Sequence, residues 1–262
     1  MTIFILGNRY PDNLKLTELV SKLIYITYRD NFPQINNTCI TSDTGWGCTI
    51  RSAQMLLANT FLKLKYPTLE YSRHRIPREY YNIISYFRDN KVNLLSLHNI
   101  VHHFTNYNKY PGDWIGPYTI CNIITHFSGL LKKLYDIEYL CCNDRNLNLD
   151  QLDNNKPRHL ITIPIRLGID KIDSKYYDNI LYITGCKSFI GIIGGHNNKS
   201  FYLIGSDKHR FIYLDPYITQ SYQDYNLNIQ GFSSNKINYL EIDKLSPTLS
   251  LCFLVDNMEK LD

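Results

Sequence analysis

The spacing of apolar residues changes part-way along this chain, and that change limits the possible folds more than any other feature. Over residues 11–135 the apolar positions recur at helical spacing, in segments near 14–28, 48–64, 79–87, 97–104 and 118–134. Asp12 or Asn13 is suited to cap the first of these and Ser96 the fourth. From 159 onward the pattern becomes short β-branched and aromatic runs, at 159–165, 189–193, 201–204, 211–214 and 249–255. Gly194-Gly195-His196-Asn197-Asn198 and Ser206-Asp207-Lys208 read as turns between them, and 143–156 as a polar surface loop. Helices first and strands afterwards predict an α+β fold, with a helical lobe packed on a sheet lobe and a cleft where they meet.

The chemistry concentrates in Thr41-Ser42-Asp43-Thr44-Gly45-Trp46-Gly47-Cys48, where a glycine-bracketed turn delivers Cys48 to the start of the second helical segment. A cysteine at a helix N-terminus meets unpaired backbone N–H groups and the positive end of the helix dipole, and both favour the thiolate. Gly47 lets the backbone come close to a bound carbonyl, and the Cys48 amide is placed to hold a developing oxyanion. A thiol nucleophile also needs a base and a group to orient it. Asp215, stiffened by Pro216 at the end of the 211–214 run, suits the orienting role.

Other function classes find little support. A net charge of +4 with 20% charged residues lacks the basic excess of a nucleic-acid binder. No apolar run approaches the roughly 20 residues of a membrane span, and Ile3-Phe4-Ile5-Leu6 is too short for a secretory signal. Seven cysteines without regular spacing point to a reduced, cytoplasmic compartment. His102, His103, Cys121, His126, Cys141 and Cys142 form no ligand set at zinc spacing, and no glycine-rich phosphate loop is present, so neither a metal nor another cofactor is expected.

The chain resembles the autophagins, the papain-like cysteine endopeptidases of autophagy. The likeness runs from Ile5-Leu6-Gly7 to Leu245-Ser246-Pro247 and rests on several anchors. These are Thr27-Tyr28-Arg29-Asp30-Asn31-Phe32-Pro33, the Cys48 turn, residues 112–117 with Trp114, Ile163-Pro164-Ile165-Arg166-Leu167-Gly168, Gly191-Ile192-Ile193-Gly194-Gly195 and Tyr213-Leu214-Asp215-Pro216. The resemblance implies one papain-like catalytic domain over 1–262, with a helical lobe at about 1–140 and a sheet lobe at about 157–256. It implies Cys48 as nucleophile, Asp215 as triad acid, Tyr28 as the hydroxyl that assists the oxyanion, and Trp114 as the ring over the substrate groove. The implied substrate is a ubiquitin-like autophagy modifier, cut after its C-terminal glycine, free or in its lipid conjugate, by a monomeric enzyme. The family's terminal extensions, which carry further modifier-binding motifs, are not expected here.

At one position the chain departs from that pattern. The family's strand end reads Asp-Pro-His, and the histidine is its general base; here the position is Tyr217. A phenol with a pKa of about 10 does not replace imidazole near neutral pH. His196 is the first candidate for a substitute base, with His98, His126 and His209 behind it. The alternative is a catalytically impaired relative that binds the modifier without cleaving it. The short segment 185–188 also lacks the residues of the family's groove-covering loop, which implies a different gate to Cys48.

Overall fold

The computed structural model describes residues 2–11, 16–71, 75–143, 158–207, 209–223 and 229–255. In chain order its elements are β1 (Thr2–Ile5), β2 (Asn8–Pro11), α1 (Leu16–Lys22), β3 (Tyr28–Asp30), α2 (Cys48–Lys65), α3 (Arg78–Ser85) and α4 (Leu97–His102). There follow α5 (Pro117–Ile124), α6 (Ser128–Tyr135), β4 (Glu138–Cys141), β5 (His159–Arg166), α7 (Tyr177–Ile183), β6 (Phe189–His196), β7 (Lys199–Asp207) and β8 (Arg210–Leu214). The last are β9 (Thr219–Ser221), β10 (Asn238–Glu241) and β11 (Thr248–Val255). This is the α+β, papain-like plan.

The main sheet runs β10-β8-β7-β6-β11-β5-β4, antiparallel except for the β4–β5 pair. The N-terminal hairpin β1–β2 joins it through β7, with Ile3 opposite Asp207. Alternate residues of the strands enter two different cores, as the period of two requires. Ile190, Ile193, Tyr202 and Ile212 pack with the helices. Phe189, Ile192, Leu203 and Phe211 pack with Ile180 of α7 on the other face.

Helix α2 lies against β6 and β7 at the centre of the molecule, and residues 48–62 are all buried. Its polar side chains are therefore obliged to find partners. Asn59 exchanges hydrogen bonds with the backbone of Ile24, Gln54 donates to the Leu95 carbonyl, and Ser52 donates to the carbonyl of Cys48.

Several expectations change in detail. The first helix stops at Lys22 rather than running to Tyr28, because Asn59 holds the Ile24 backbone extended and Tyr28 enters β3. That strand pairs parallel with β9, Tyr28 opposite Thr219. The segment near 118–134 is two helices broken at 125–127 by a single 3-10 turn. Gly194 and Gly195 continue β6, and the turn sits at Asn197-Asn198, both at positive φ. Gly195 is needed for close approach, since a Cβ there would lie 1.7 Å from the Lys199 carbonyl oxygen. Ser96 does cap α4, accepting from the Asn99 amide at 3.2 Å. The Asp12 or Asn13 cap, Lys208 and all of the 143–156 loop except Asn143 lie outside the described residues. Among the described residues no helix is long and apolar enough to cross a membrane.

Candidate active site

The turn before α2 is built around Asp43. Its carbonyl accepts from the amides of Trp46 (3.2 Å) and Gly47 (2.9 Å), with Gly45 at φ +90 supplying the left-handed step. Its carboxylate, fully buried, accepts from the Arg29 amide at 2.7 Å and from Arg51 Nε and Nη2 at 2.8 and 2.9 Å. Arg51 is equally buried and turns its other edge to Asp89, at 2.9 and 3.0 Å. Burial works against the guanidinium charge, but the two carboxylates outweigh it and hold the Arg51 pKa above its ordinary value. Gly47 is needed here for space: a Cβ would sit 2.2 Å from Asp43 Oδ2. Asp43 thus fastens the strand that carries Tyr28 to the helix that begins with Cys48.

Cys48 is the first residue of α2, is 2% exposed, and has no side-chain cap or acidic residue in its first turn. Among the described residues Thr49 Oγ1 lies 4.0 Å from its sulfur, and the hydroxyls of Tyr28 and Tyr217 stand near enough to be influenced by the thiol. Burial pushes both phenols well above their ordinary pKa, and proximity to the thiol raises them further, so both are neutral donors. Their rings meet edge to face at 5.3 Å. The Tyr217 oxygen accepts from the Ser200 amide at 3.1 Å, and Lys199 Nζ stands 5.0 Å from the Tyr217 ring centroid. The Tyr28 hydroxyl is buried beside Cys48 and Tyr217 and makes no hydrogen bond among the described residues.

Asp215 is positioned by Tyr25, whose hydroxyl donates to the Asp215 carbonyl at 2.5 Å. The Asp215 carboxylate accepts from the Tyr217 amide at 2.9 Å, a local turn that leaves it without an imidazole to orient. Among the described residues no imidazole interacts with Cys48. His196 ends β6 opposite Lys199, half-buried, and makes no hydrogen bond or ring contact among the described residues. His98 packs on Phe32 with Nε2 at the Pro33 carbonyl, His126 stacks on His103, and His209 is exposed in a turn. Trp114 is 45% exposed on the loop before α5, over Gly116, with no contact to Cys48 among the described residues. Among the described residues no cluster of His, Cys, Asp and Glu could hold a metal ion.

The sequence of the Peptidase C54 catalytic domain, taken as a family, matches residues 13–262. The chain belongs to the autophagin family. It is 33% identical to the probable cysteine protease atg4 of Schizosaccharomyces pombe over 91% of its length. It is 31% identical to cysteine protease ATG4 of Candida albicans over 84%, and 25% identical to human cysteine protease ATG4C over 90%. The chain spans 72% of the S. pombe relative, 67% of the human one and 50% of the C. albicans one. In this autophagin the buried Asp43–Arg51–Asp89 cluster had one signal in sequence, an arginine, the only charged residue between Cys48 and Leu62. The Ser200 amide on Tyr217 had none, because a backbone donor leaves no residue-type signature.

Proposed function

We propose that this autophagin is a cysteine-type endopeptidase, working as a cytoplasmic monomer, that cuts a ubiquitin-like autophagy modifier after its C-terminal glycine, including in its lipid conjugate. The observation that carries the reading is the buried Cys48 thiol at the start of α2, flanked by two neutral phenols. In this mechanism Cys48 Sγ attacks the glycine carbonyl carbon, and the Tyr28 hydroxyl and the Cys48 amide hold the oxyanion. As the C–N bond breaks, Tyr217 passes its hydroxyl proton to the leaving amine and takes up the thiol proton. The products are a Cys48 thioester and a free amine, and water then releases the modifier and restores the thiol. Trp114 and Gly47 line the approach of the glycine-ended tail.

Tyr217 limits the rate. A neutral phenol relays a proton but does not act as a base, and general acid–base catalysis by a matched group contributes about 10²–10⁴-fold. Deleting the histidine of a serine-hydrolase triad costs about a million-fold; a thiol, being more acidic, loses less. The same residue favours a second reading, in which the chain grips the modifier and does not turn it over.

Cleavage of a modifier precursor by the wild type, Cys48→Ala and Tyr217→His separates the two. Slow wild-type cleavage, lost in Cys48→Ala and faster in Tyr217→His, is the expected result. A wild type that binds the precursor and leaves it intact, with cleavage appearing only in Tyr217→His, makes the second reading the function. Neither binding nor cleavage in any of the three would sink both.

A further inference from the structure

A cavity of about 520 Å³ opens far from Cys48, at the other end of α2. Lys63, on its wall, is fifteen residues beyond Cys48 on the helix, about 22 Å at 1.5 Å per residue. Four cations line it, Arg9, Lys63, Arg158 and Lys187, and no Asp or Glu does so among the described residues. The rest of the wall is largely apolar, with Phe4, Leu64 and Leu254.

The cavity is preformed. The Lys63 ammonium donates to the carbonyls of Leu6 (2.6 Å), Lys187 (2.9 Å) and Phe189 (3.2 Å), which ties the β1–β2 hairpin to the start of β6. Gly7, at φ +75, makes that hairpin turn possible, and a Cβ there would lie 2.3 Å from the Cys186 carbonyl oxygen. Among the described residues Arg9 reaches the Thr2 hydroxyl, at a long 3.4 Å, and Arg158 donates to the Tyr135 carbonyl. Cations gathered in a concave site with apolar walls raise the local potential and favour an anion over bulk water.

We infer that this cavity binds an organic phosphate, with the phosphate groups on Arg9, Lys187 and Arg158 and the apolar portion against Phe4 and Leu254. Guanidinium and ammonium groups are the usual phosphate donors, and a mixed wall selects a ligand with both parts over inorganic phosphate. A soluble nucleotide and a membrane phosphoinositide headgroup carry the same chemistry. Binding here is independent of Cys48, which lies a full helix length away.

The test is calorimetric titration of the full chain with ATP, and co-sedimentation with phosphatidylcholine vesicles with and without phosphatidylinositol 4-phosphate. Arg9 and Lys187 are exposed, so Arg9→Glu/Lys187→Glu leaves the fold intact. The expected result is binding in one arm, weakened at least about tenfold in that variant and unchanged in Lys91→Glu/Lys171→Glu, which alters net charge equally at surface positions outside the cavity. Binding of ATP alone assigns the soluble source, and binding of the phosphoinositide vesicles alone assigns the membrane. No binding in either arm at about 1 mM ligand, or equal weakening by the two double variants, overturns the inference.

Discussion

Replacing Asp43 by alanine tests the idea that one buried carboxylate sets the spacing between Tyr28 and Cys48. The substitution removes the acceptor of three hydrogen bonds, from the Arg29 amide and from Arg51 Nε and Nη2, all inside the protein. Each buried donor left unsatisfied costs about 1–3 kcal/mol, and stripping one partner from a buried ion pair costs about 3–5 kcal/mol in total. Arg51 keeps Asp89, so the lower half of that range applies, about 3–4 kcal/mol. At about 2–4 °C per kcal/mol for a domain of this size, the melting temperature falls by roughly 10 °C. Urea denaturation and thermal melts measure the loss. Alkylation of Cys48 by iodoacetamide, in conditions where the variant is still folded, measures the site. Both the stability and the alkylation rate fall in Asp43→Ala. A variant within about 1 kcal/mol of wild type, with Cys48 alkylated at the wild-type rate, would refute the clamp.

Gly47→Ala places a methyl group on Asp43 Oδ2; overpacking of this kind costs about 1–3 kcal/mol, and the urea midpoint falls together with Cys48 alkylation. Tyr217→Phe leaves the buried Ser200 amide without its acceptor, which lowers stability by about 1–2 kcal/mol and removes whatever precursor cleavage the wild type has. Unfolded tyrosine titrates near pH 10, whereas burial raises Tyr25, Tyr28 and Tyr217 above that in the folded chain. Above about pH 10 the folded state therefore holds more protons than the unfolded one, and stability, fully present below that pH, falls as pH rises; urea midpoints in an alkaline series read the slope, and a flat profile would contradict it.

The residues around Cys48 show how far a linear reading carries. Gly45 and Gly47 flanking Trp46, ahead of an apolar helical repeat, locate the turn before Cys48, because positive φ and close approach are demands that only glycine meets cheaply. The long α2 and the strands β5, β8 and β11 were likewise legible, since burial on one or both faces imposes a period. Short elements were not: β1, β2 and β10 have four residues each, too few to show a period, and β3 hides inside a segment whose spacing also fits a helix.

Taken alone, the sequence determined the α+β class, the helix start at Cys48 and the Asp215-Pro216-Tyr217 run at a strand end, all of them local in the chain. Tertiary structure alone decided which groups surround the thiol. Tyr28 reaches it because β3 pairs with β9, and Tyr217 because the Ser200 amide of β7 holds its oxygen. It also placed His196 opposite Lys199 on the β6–β7 hairpin, where it makes no hydrogen bond or ring contact among the described residues. These are pairings between segments as much as 191 residues apart, as Asp30 and Ser221 are. Such pairings are set by strand register and core packing, which no local pattern of residues encodes.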